Sequence, residues 1–449
     1  METLSKIKVV IATVPFVDED TPLATPAYLK SLLVKNDIDC VGLDLNIEIV
    51  NLIRNDPRKK DLLNFFYKQI IKEEIVTDIT QMLYHYVQRI MSYNPTHIAL
   101  SLFTIDSQVF TKWLTALIKH LYPDVIVMIG GPGLETLGAR NYNFPERLKD
   151  LGYVDHYFVG DANDNFINYF TNGTTEGFDT VLVKQTSNAK HWITPNYDDY
   201  NFLYYRNSSS LPVVDSRGCV QNCEFCDVVA FWDKFQNLTA DDVFEQMLEL
   251  SERYNIYRLQ FASSICNGNL VQFRKLVKLI ADHNDSVDFA DQEFFWHGSF
   301  IIRKKDRHSE ELWHNIKRSN GFLYCGVESI ISEIRIKLGK NFNNEDLASH
   351  LELGQKYDVP MNLLVIAAYY SESEEDHLYA LQWFEDNKHY VDNPIKQVQF
   401  TTLGILEGTR LQKDIDIEKF NSELPMRNAH ALKLKQKAEE CGFTVRAFY

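Results

Sequence analysis

Arg217-Gly218-Cys219-Val220-Gln221-Asn222-Cys223-Glu224-Phe225-Cys226 is the stretch on which the reading of this chain turns. It sets three cysteines at the spacing C-x3-C-x2-C, directly after a short apolar strand, Pro212-Val213-Val214-Asp215. Three thiolates on one loop suit three irons of a cubane and leave the fourth iron open to a ligand. Zinc is the competing metal. Its structural sites use four ligands, commonly in pairs spaced C-x2-C. No fourth Cys or His stands nearby in sequence, and a distant one stays open.

Downstream of the loop, strand-like runs occur at 257–262, 294–302, 322–328, 361–368 and 397–403. Helical periodicity fills the gaps, as in Ala240 to Tyr254, Leu270 to Asp282 and Asn344 to Tyr357. With 212–215, these make six βα units. That is too few for an eight-unit barrel and predicts an open, partial one. The last 40 residues are charged and helical in character.

Upstream, Ile7-Lys-Val-Val-Ile-Ala12 reads as a buried strand. Ala27 to Lys35 reads as a helix, and Cys40 to Asn46 as a second strand. Residues 60–93 have helical spacing. His97 to Phe103 is a third strand, followed by a helix from Gln108 to His120. Val125 to Gly131 and Tyr153 to Gly160 are the fourth and fifth, with a helix near Asn163 to Phe170. Strands alternating with helices predict a doubly wound parallel sheet. Ligands in such sheets bind at the carboxyl ends of strands, here in loops near Val14, Thr104, Gly130 and Gly160. Residues 171–212 read as a connector rich in Asn, Thr, Ser and Tyr. The tyrosines at 197, 200, 204 and 205 suit either a wall over the barrel or a strap on its outside.

The chain has 449 residues, enough for two or three domains. Its charge sum, 46 − 62 = −16, gives no general attraction to a nucleic-acid backbone, so non-specific nucleic-acid binding is not expected, and a local basic groove stays open. No stretch approaches the ~20 apolar residues of a membrane span. The N-terminal residues lack the layout of a secretory signal, and four of the seven cysteines are scattered rather than framed for disulfides. A cytoplasmic protein is expected.

The cysteine motif resembles that of the radical SAM enzymes, with Phe225 as the aromatic residue before the last cysteine. Tyr324-Cys-Gly-Val-Glu-Ser329 looks like the family's Gly-x-Glu-Ser strand. Lys337-Leu-Gly-Lys-Asn-Phe-Asn343, Met361 to Ile366 and Gln399 to Gly404 with Glu407-Gly-Thr409 look like later units. The preceding part is similar to the cobalamin-binding domain fused to one branch of the family. Pro22-Leu-x-x-Pro-x-Tyr-Leu29, Gly42-Leu-Asp44, Ser101-x-Phe-Thr104, Gly130-Gly131-Pro132 and Val154 to Gly160 carry that likeness.

The resemblance implies an α/β chain in four parts. Residues 1–170 would form a Rossmann-like cobalamin-binding sheet and 171–211 a connector. Residues 212–406 would form a partial (β/α)6 radical SAM barrel, and 407–449 a small helical cap. Cys219, Cys223 and Cys226 would hold a 4Fe-4S cluster, where S-adenosylmethionine is reductively cleaved. Phe225, Glu328 and Arg303 would contact S-adenosylmethionine; Thr104, Ser107, Gly130, Gly131 and Gly160 would contact cobalamin. The implied activity is methylation of an unactivated carbon of an unknown substrate, with flavodoxin or ferredoxin as electron donor. Rearrangement or cyclisation, and a non-catalytic SAM sensor, are the alternatives. A methylthiotransferase is disfavoured, because that branch has three further N-terminal cysteines and only Cys40 precedes Cys219 here.

Each carry-over has a plainer rival. Glu328 could be a buried ion-pair partner, and Arg303 a solvated strand end rather than a fork on the SAM carboxylate. Thr104 and Ser107 could cap a helix. Gly130 and Gly131 could make a simple tight turn. Trp296 and His297 could pack or line a substrate cavity. Cys266 and Cys325 read as small buried hydrophobes.

Three departures stand out. The first loop, Val14 to Asp20, has no histidine, so a bound cobalt would lack that lower ligand or the domain is an empty relic. Ser263 stands where relatives carry an acid. Ala367-Ala-Tyr-Tyr-Ser371 replaces a Gly-Phe-Pro-Gly stretch.

Overall fold

The apolar run at the start of the chain becomes β1, Lys8–Thr13, the strand around which the first unit is built. In the computed structural model, residues 7–55, 77–134, 143–160, 163–179, 192–304, 309–406 and 408–448 are described. They fall into two compact units that part at Pro212 and Val213.

In the first unit β1 pairs in parallel with β2, Asp39–Asp44, and with β3, His97–Ser101. β4, Ile126–Gly130, and β5, His156–Phe158, complete a five-stranded sheet of order β2-β1-β3-β4-β5. Side chains alternate across a strand, so Val10 and Ala12 enter one core and Val9 and Ile11 the other. The first core takes Phe110, Leu114 and Ile118 from the helix Ser107–Leu121, and Phe144 and Leu148 from the helix Phe144–Asp150. The second takes Leu33, Phe166 and Phe170 from the helices Ala24–Lys35 and Asn163–Asn172. Each fully buried aliphatic or aromatic side chain contributes roughly 1.5–3 kcal/mol, which is why helices cover both faces.

The segment after residue 191 belongs to this unit and docks on β2. Asn196 N–H donates to Ala27 O at 3.0 Å, Gly42 N–H to Asp199 Oδ2 at 2.6 Å, and the Tyr205 hydroxyl to Asp44 Oδ2 at 2.6 Å. Tyr197, Tyr200 and Tyr205 are buried there and Tyr204 is exposed. Gly42 leaves room for Tyr200, whose ring a Cβ would meet at 3.0 Å.

The second unit opens at Val213, the last residue of β6, Ser210–Val213. A two-residue antiparallel pair follows, β7 at Ser216–Arg217 and β8 at Gln236–Asn237. Then come β9, Arg258–Phe261, β10, Phe295–Phe300, β11, Gly321–Glu328, β12, Met361–Ile366, and β13, Ile395–Thr401. With β14, Val445–Phe448, the sheet has the order β14-β13-β12-β11-β10-β9-β6, and β9 through β14 pair in parallel. Helix boundaries follow capping chemistry. Thr239 and Asp242 form a capping box at Ala240–Tyr254, as Asn343 and Asp346 do at Asn344–Tyr357. Both helices stop at a left-handed residue, Asn255 and Asp358.

Several elements differ from the sequence reading. Leu45 and Asn46 start a helix, Leu45–Asn55, because Asp44 Oδ1 accepts the Ile47 N–H at 2.9 Å and ends the strand. The helix Phe144–Asp150 was not anticipated; its seven residues are too few for a clear period. Residues 60–76 lie outside the described residues. The C-terminal segment is not wholly helical. After the helix Leu424–Glu440 it forms β14, Val445–Phe448, a seventh strand beside β13. Four residues with one charge among them carry little local signal; pairing with β13 makes the strand.

Candidate metal centre

The cysteine loop leaves β7 and runs to the short helix Val228–Phe231. Cys223 is buried, Cys219 and Cys226 are half-buried, and all three are free thiols. Main-chain bonds hold the loop from two sides. Glu224 N–H donates to Leu338 O at 2.9 Å, and Leu411 N–H donates to Glu224 O at 2.8 Å. Arg410 donates to Asn222 O, and the Tyr369 hydroxyl donates to the Glu224 carboxylate. A turn bond from Cys226 N–H to Cys223 O, 3.3 Å, closes the C-x2-C step. The Cys219 sulfur accepts the Gln221 N–H at 3.4 Å. Gly339 makes the seat. It has φ +92°, and a Cβ there would lie 2.5 Å from Asn222 O and 3.2 Å from Cys223 Cα. Only a residue without a side chain lets the two backbones approach so closely.

Burial pushes the Cys223 thiol up to about 11, against the pull of Lys340. Burial pushes Cys226 to about 12, with Asp227, Cys223 and Cys219 adding to it and the Val228 N–H opposing. These thiols are therefore protonated without metal, and binding must displace protons. Among the described residues no three His, Cys, Asp or Glu side chains converge to hold one ion. A cubane makes no such demand, since each of three thiolates takes its own iron. Three soft donors on one pinned loop fit that cluster.

Glu328, at the carboxyl end of β11, faces Lys340 with Oε1 to Nζ at 2.9 Å, and both side chains are largely buried. Burial alone would lower the Lys340 pKa. Glu328 outweighs it and holds the ammonium above its ordinary value. A Cβ on Gly326 would lie 2.5 Å from Glu328 Oε1 and 2.8 Å from Lys340 Nζ, which explains the glycine two residues before the acid. Lys340 was not singled out in the sequence; its place after Gly339 was the available signal.

Arg303 is held on main-chain carbonyls, donating to Asn267 O at 2.6 Å and Gly268 O at 3.0 Å. The buried Asn267 latches the same strand end, exchanging bonds with Ile301 at 2.8 and 3.0 Å. Phe225 is half-buried between Glu224 and Cys226. Trp296 packs on Phe261 and Phe273, while His297 lies edge-on to Tyr324 with centroids 5.6 Å apart. Cys325 is buried against His350, and Cys266 lies beside Asp215. Burial raises the Asp215 carboxyl to about 6.

In the first unit the strand order reverses between β1 and β3, the crevice where doubly wound sheets take ligands. Thr104 and Ser107 lie there. The Thr104 hydroxyl donates to Phe16 O at 2.6 Å and lies 3.2 Å from the Ser107 hydroxyl, so the pair ties the β3 loop to the β1 loop. Asp106 occupies the N-cap position without a side-chain bond. Gly131 has φ +106°, and a Cβ there would stand 2.3 Å from Leu102 O, so its close approach is to the β3 loop. Gly130 ends β4 in ordinary contact with Phe158, and Gly160 has φ +129°. Two apolar side chains flanking Thr104, Phe103 at 51% and Ile105 at 47%, are exposed at this crevice, and sequence reasoning passed over them. Their signal was two large apolar residues in a loop.

No family model matches the chain, and no curated protein matches it in sequence. Solved structures do. The radical S-adenosylmethionine methyltransferase TsrM from Kitasatospora setae, with cobalamin and a [4Fe-4S] cluster bound, matches over 91% of this chain and 77% of its own, with TM-score 0.62 and 15% identity. The same enzyme with tryptophan and a SAM analogue matches at TM-score 0.61 and 14% identity, over 91% and 75%. The cobalamin-dependent S-adenosylmethionine radical enzyme OxsB, with aqua-cobalamin bound, matches over 95% of this chain at TM-score 0.63 and 14% identity; the chain spans 56% of its length. The chain has the fold of these proteins: a cobalamin-binding-type sheet followed by a partial radical SAM barrel.

Proposed function

We propose that this chain is a cobalamin-dependent radical SAM enzyme that methylates a carbon of its substrate. One observation carries the reading: three free cysteines, spaced C-x3-C-x2-C, on a pinned loop after the first barrel strand. When bound, a [4Fe-4S] cluster supplies the electron for cleaving S-adenosylmethionine, and cobalamin supplies methyl transfer.

In this reading Cys219, Cys223 and Cys226 hold the cluster as thiolates, and Gly339 and Leu338 keep their loop in place. Glu328 is the acceptor for S-adenosylmethionine, oriented by Lys340, and Phe225 shields the loop. Arg303 keeps the Asn267–Gly268 turn in position at the strand end. Thr104 and Ser107 hold the corrinoid-side loops together, Gly131 lets them close up, and Gly130 and Gly160 border the crevice. The exposed Phe103 and Ile105 offer apolar support for a flat macrocycle. The loop from Val14 to Asp20 brings no histidine, so it would offer a bound cobalamin no imidazole. A small electron carrier such as flavodoxin or ferredoxin would supply the reductant.

The test is anaerobic reconstitution with iron, sulfide and cobalamin, followed by metal analysis and product assay after reduction. About four irons and one cobalt per chain are expected, with cleavage of S-adenosylmethionine. The Cys219→Ala, Cys223→Ala, Cys226→Ala triple variant should lose both iron and cleavage. Iron retained in that variant overturns the cluster; iron without cobalt overturns the cobalamin part.

A further inference from the structure

The second unit's sheet has two chemically different faces. Trp296 packs on Phe273, Cys325 on His350, Met361 on Gly354 and Phe400 on Phe384, so these side chains face the helices. Their neighbours along each strand must point the other way. In register across four adjacent strands, that other face carries Ser299 opposite Tyr324, Tyr324 opposite Asn362, and Asn362 opposite Gln397. A hydroxyl, a phenol and two carboxamides thus form one uncharged belt, three of whose members keep partial exposure.

Within the belt, Asn362 is 6% exposed, and its carboxamide oxygen is buried without a hydrogen-bond partner. Such an atom is costly to leave unmet and calls for a donor from outside the fold. Gln397 is oriented by its neighbour, with Oε1 accepting from Gln399 Nε2 at 2.8 Å. The adjoining level adds His297, whose imidazole burial holds below its ordinary value and therefore neutral. Toward the carboxyl end Glu328 and Lys340 pair with each other, and at the sheet edge the exposed Arg446 stands opposite Gln399, outside the four belt positions. None of the four belt side chains is charged, so a charged ligand group seated on them would lose its water without a counter-charge from the belt itself.

We propose that the belt of Ser299, Tyr324, Asn362 and Gln397 is the substrate-recognition surface, and that it takes an uncharged, planar amide-type group offering an N–H donor to Asn362. This rests on the reading of the chain as a radical SAM enzyme. It names what that enzyme would hold: a carboxamide, peptide or lactam edge rather than a carboxylate, phosphate or ammonium.

Nicotinamide and nicotinate share a ring and differ in carboxamide against carboxylate, which makes them suitable probes. Binding to the full-length, cluster-reconstituted protein is measured by saturation-transfer NMR, with competition against each other. Nicotinamide should bind on the order of tenfold more tightly than nicotinate, and Asn362→Leu should abolish the preference. Gln397→Met, which keeps side-chain volume, should weaken it, and it serves where Asn362→Leu fails to retain its cluster. Equal binding of the two probes, or a preference untouched by both variants, overturns the inference. Cleavage of S-adenosylmethionine is measured in the same samples. Cleavage without the preference sinks this inference alone; loss of cleavage in the wild-type sample sinks the enzyme reading beneath it.

Discussion

The Glu328 carboxylate and the Lys340 ammonium meet at 2.9 Å beside the Cys223 loop, both largely out of water, with Gly326 leaving them the space. The pair charges the floor of the candidate site without giving it a net charge.

Glu328→Gln should leave Lys340 as an uncompensated buried cation. A loss of about 3–5 kcal/mol is expected from denaturant unfolding of the apoprotein. The double variant Glu328→Gln, Lys340→Met should recover most of that loss, because it removes both charges. A single variant as stable as the parent would show that the pair is solvated rather than buried.

Gly339→Ala should drive a methyl group into Asn222 O, where 2.5 Å is available. The loop must move, and the three thiols with it. The expected result is a fall in reconstituted iron to less than about half, with far-ultraviolet circular dichroism unchanged. Full iron content in the variant would mean that the loop tolerates displacement.

Asp44 provides a pH test in the first unit. Burial raises its carboxyl from 3.8 to about 6, although the Tyr205 hydroxyl pulls it down. A folded-state pKa above the unfolded one means that the folded chain holds this proton more tightly. Stability from this group is therefore full below 3.8, declines as pH rises toward about 6, and stays reduced above it. Asp44→Asn removes the ionisation, and the Tyr205 hydroxyl can turn to accept from the new amide. The variant should be more stable than the parent by about 1–2 kcal/mol at pH 8, with the difference shrinking below pH 4. Thermal melts across that range check it; a variant less stable at pH 8 would show that the ionised carboxylate is the favoured partner of Tyr205.

Much of the fold was legible because its signals are local. Apolar β-branched runs marked the strands, and helical periodicity marked Ala240–Tyr254 and Asn344–Tyr357. The C-x3-C-x2-C spacing needs only eight residues to be read. Arg303 was harder. Its fork geometry suggested a carboxylate partner, and no local signal showed that the folded chain holds it on the carbonyls of Asn267 and Gly268. Thr104 and Ser107 offered hydroxyls to a ligand, and the β1 loop took one of them.

By itself the sequence determined most of the strands and helices and set three cysteines at one spacing, since both depend on side chains only a few positions apart. The tertiary structure alone decided the strand order that puts the crevice between β1 and β3, and the recruitment of Val445–Phe448 as a seventh strand. It also decided that Tyr205 reaches Asp44 across 161 positions of sequence. Such pairings carry no local period. They exist because a buried carboxyl must find a donor and an open sheet edge a partner, and only the folded chain brings them within reach.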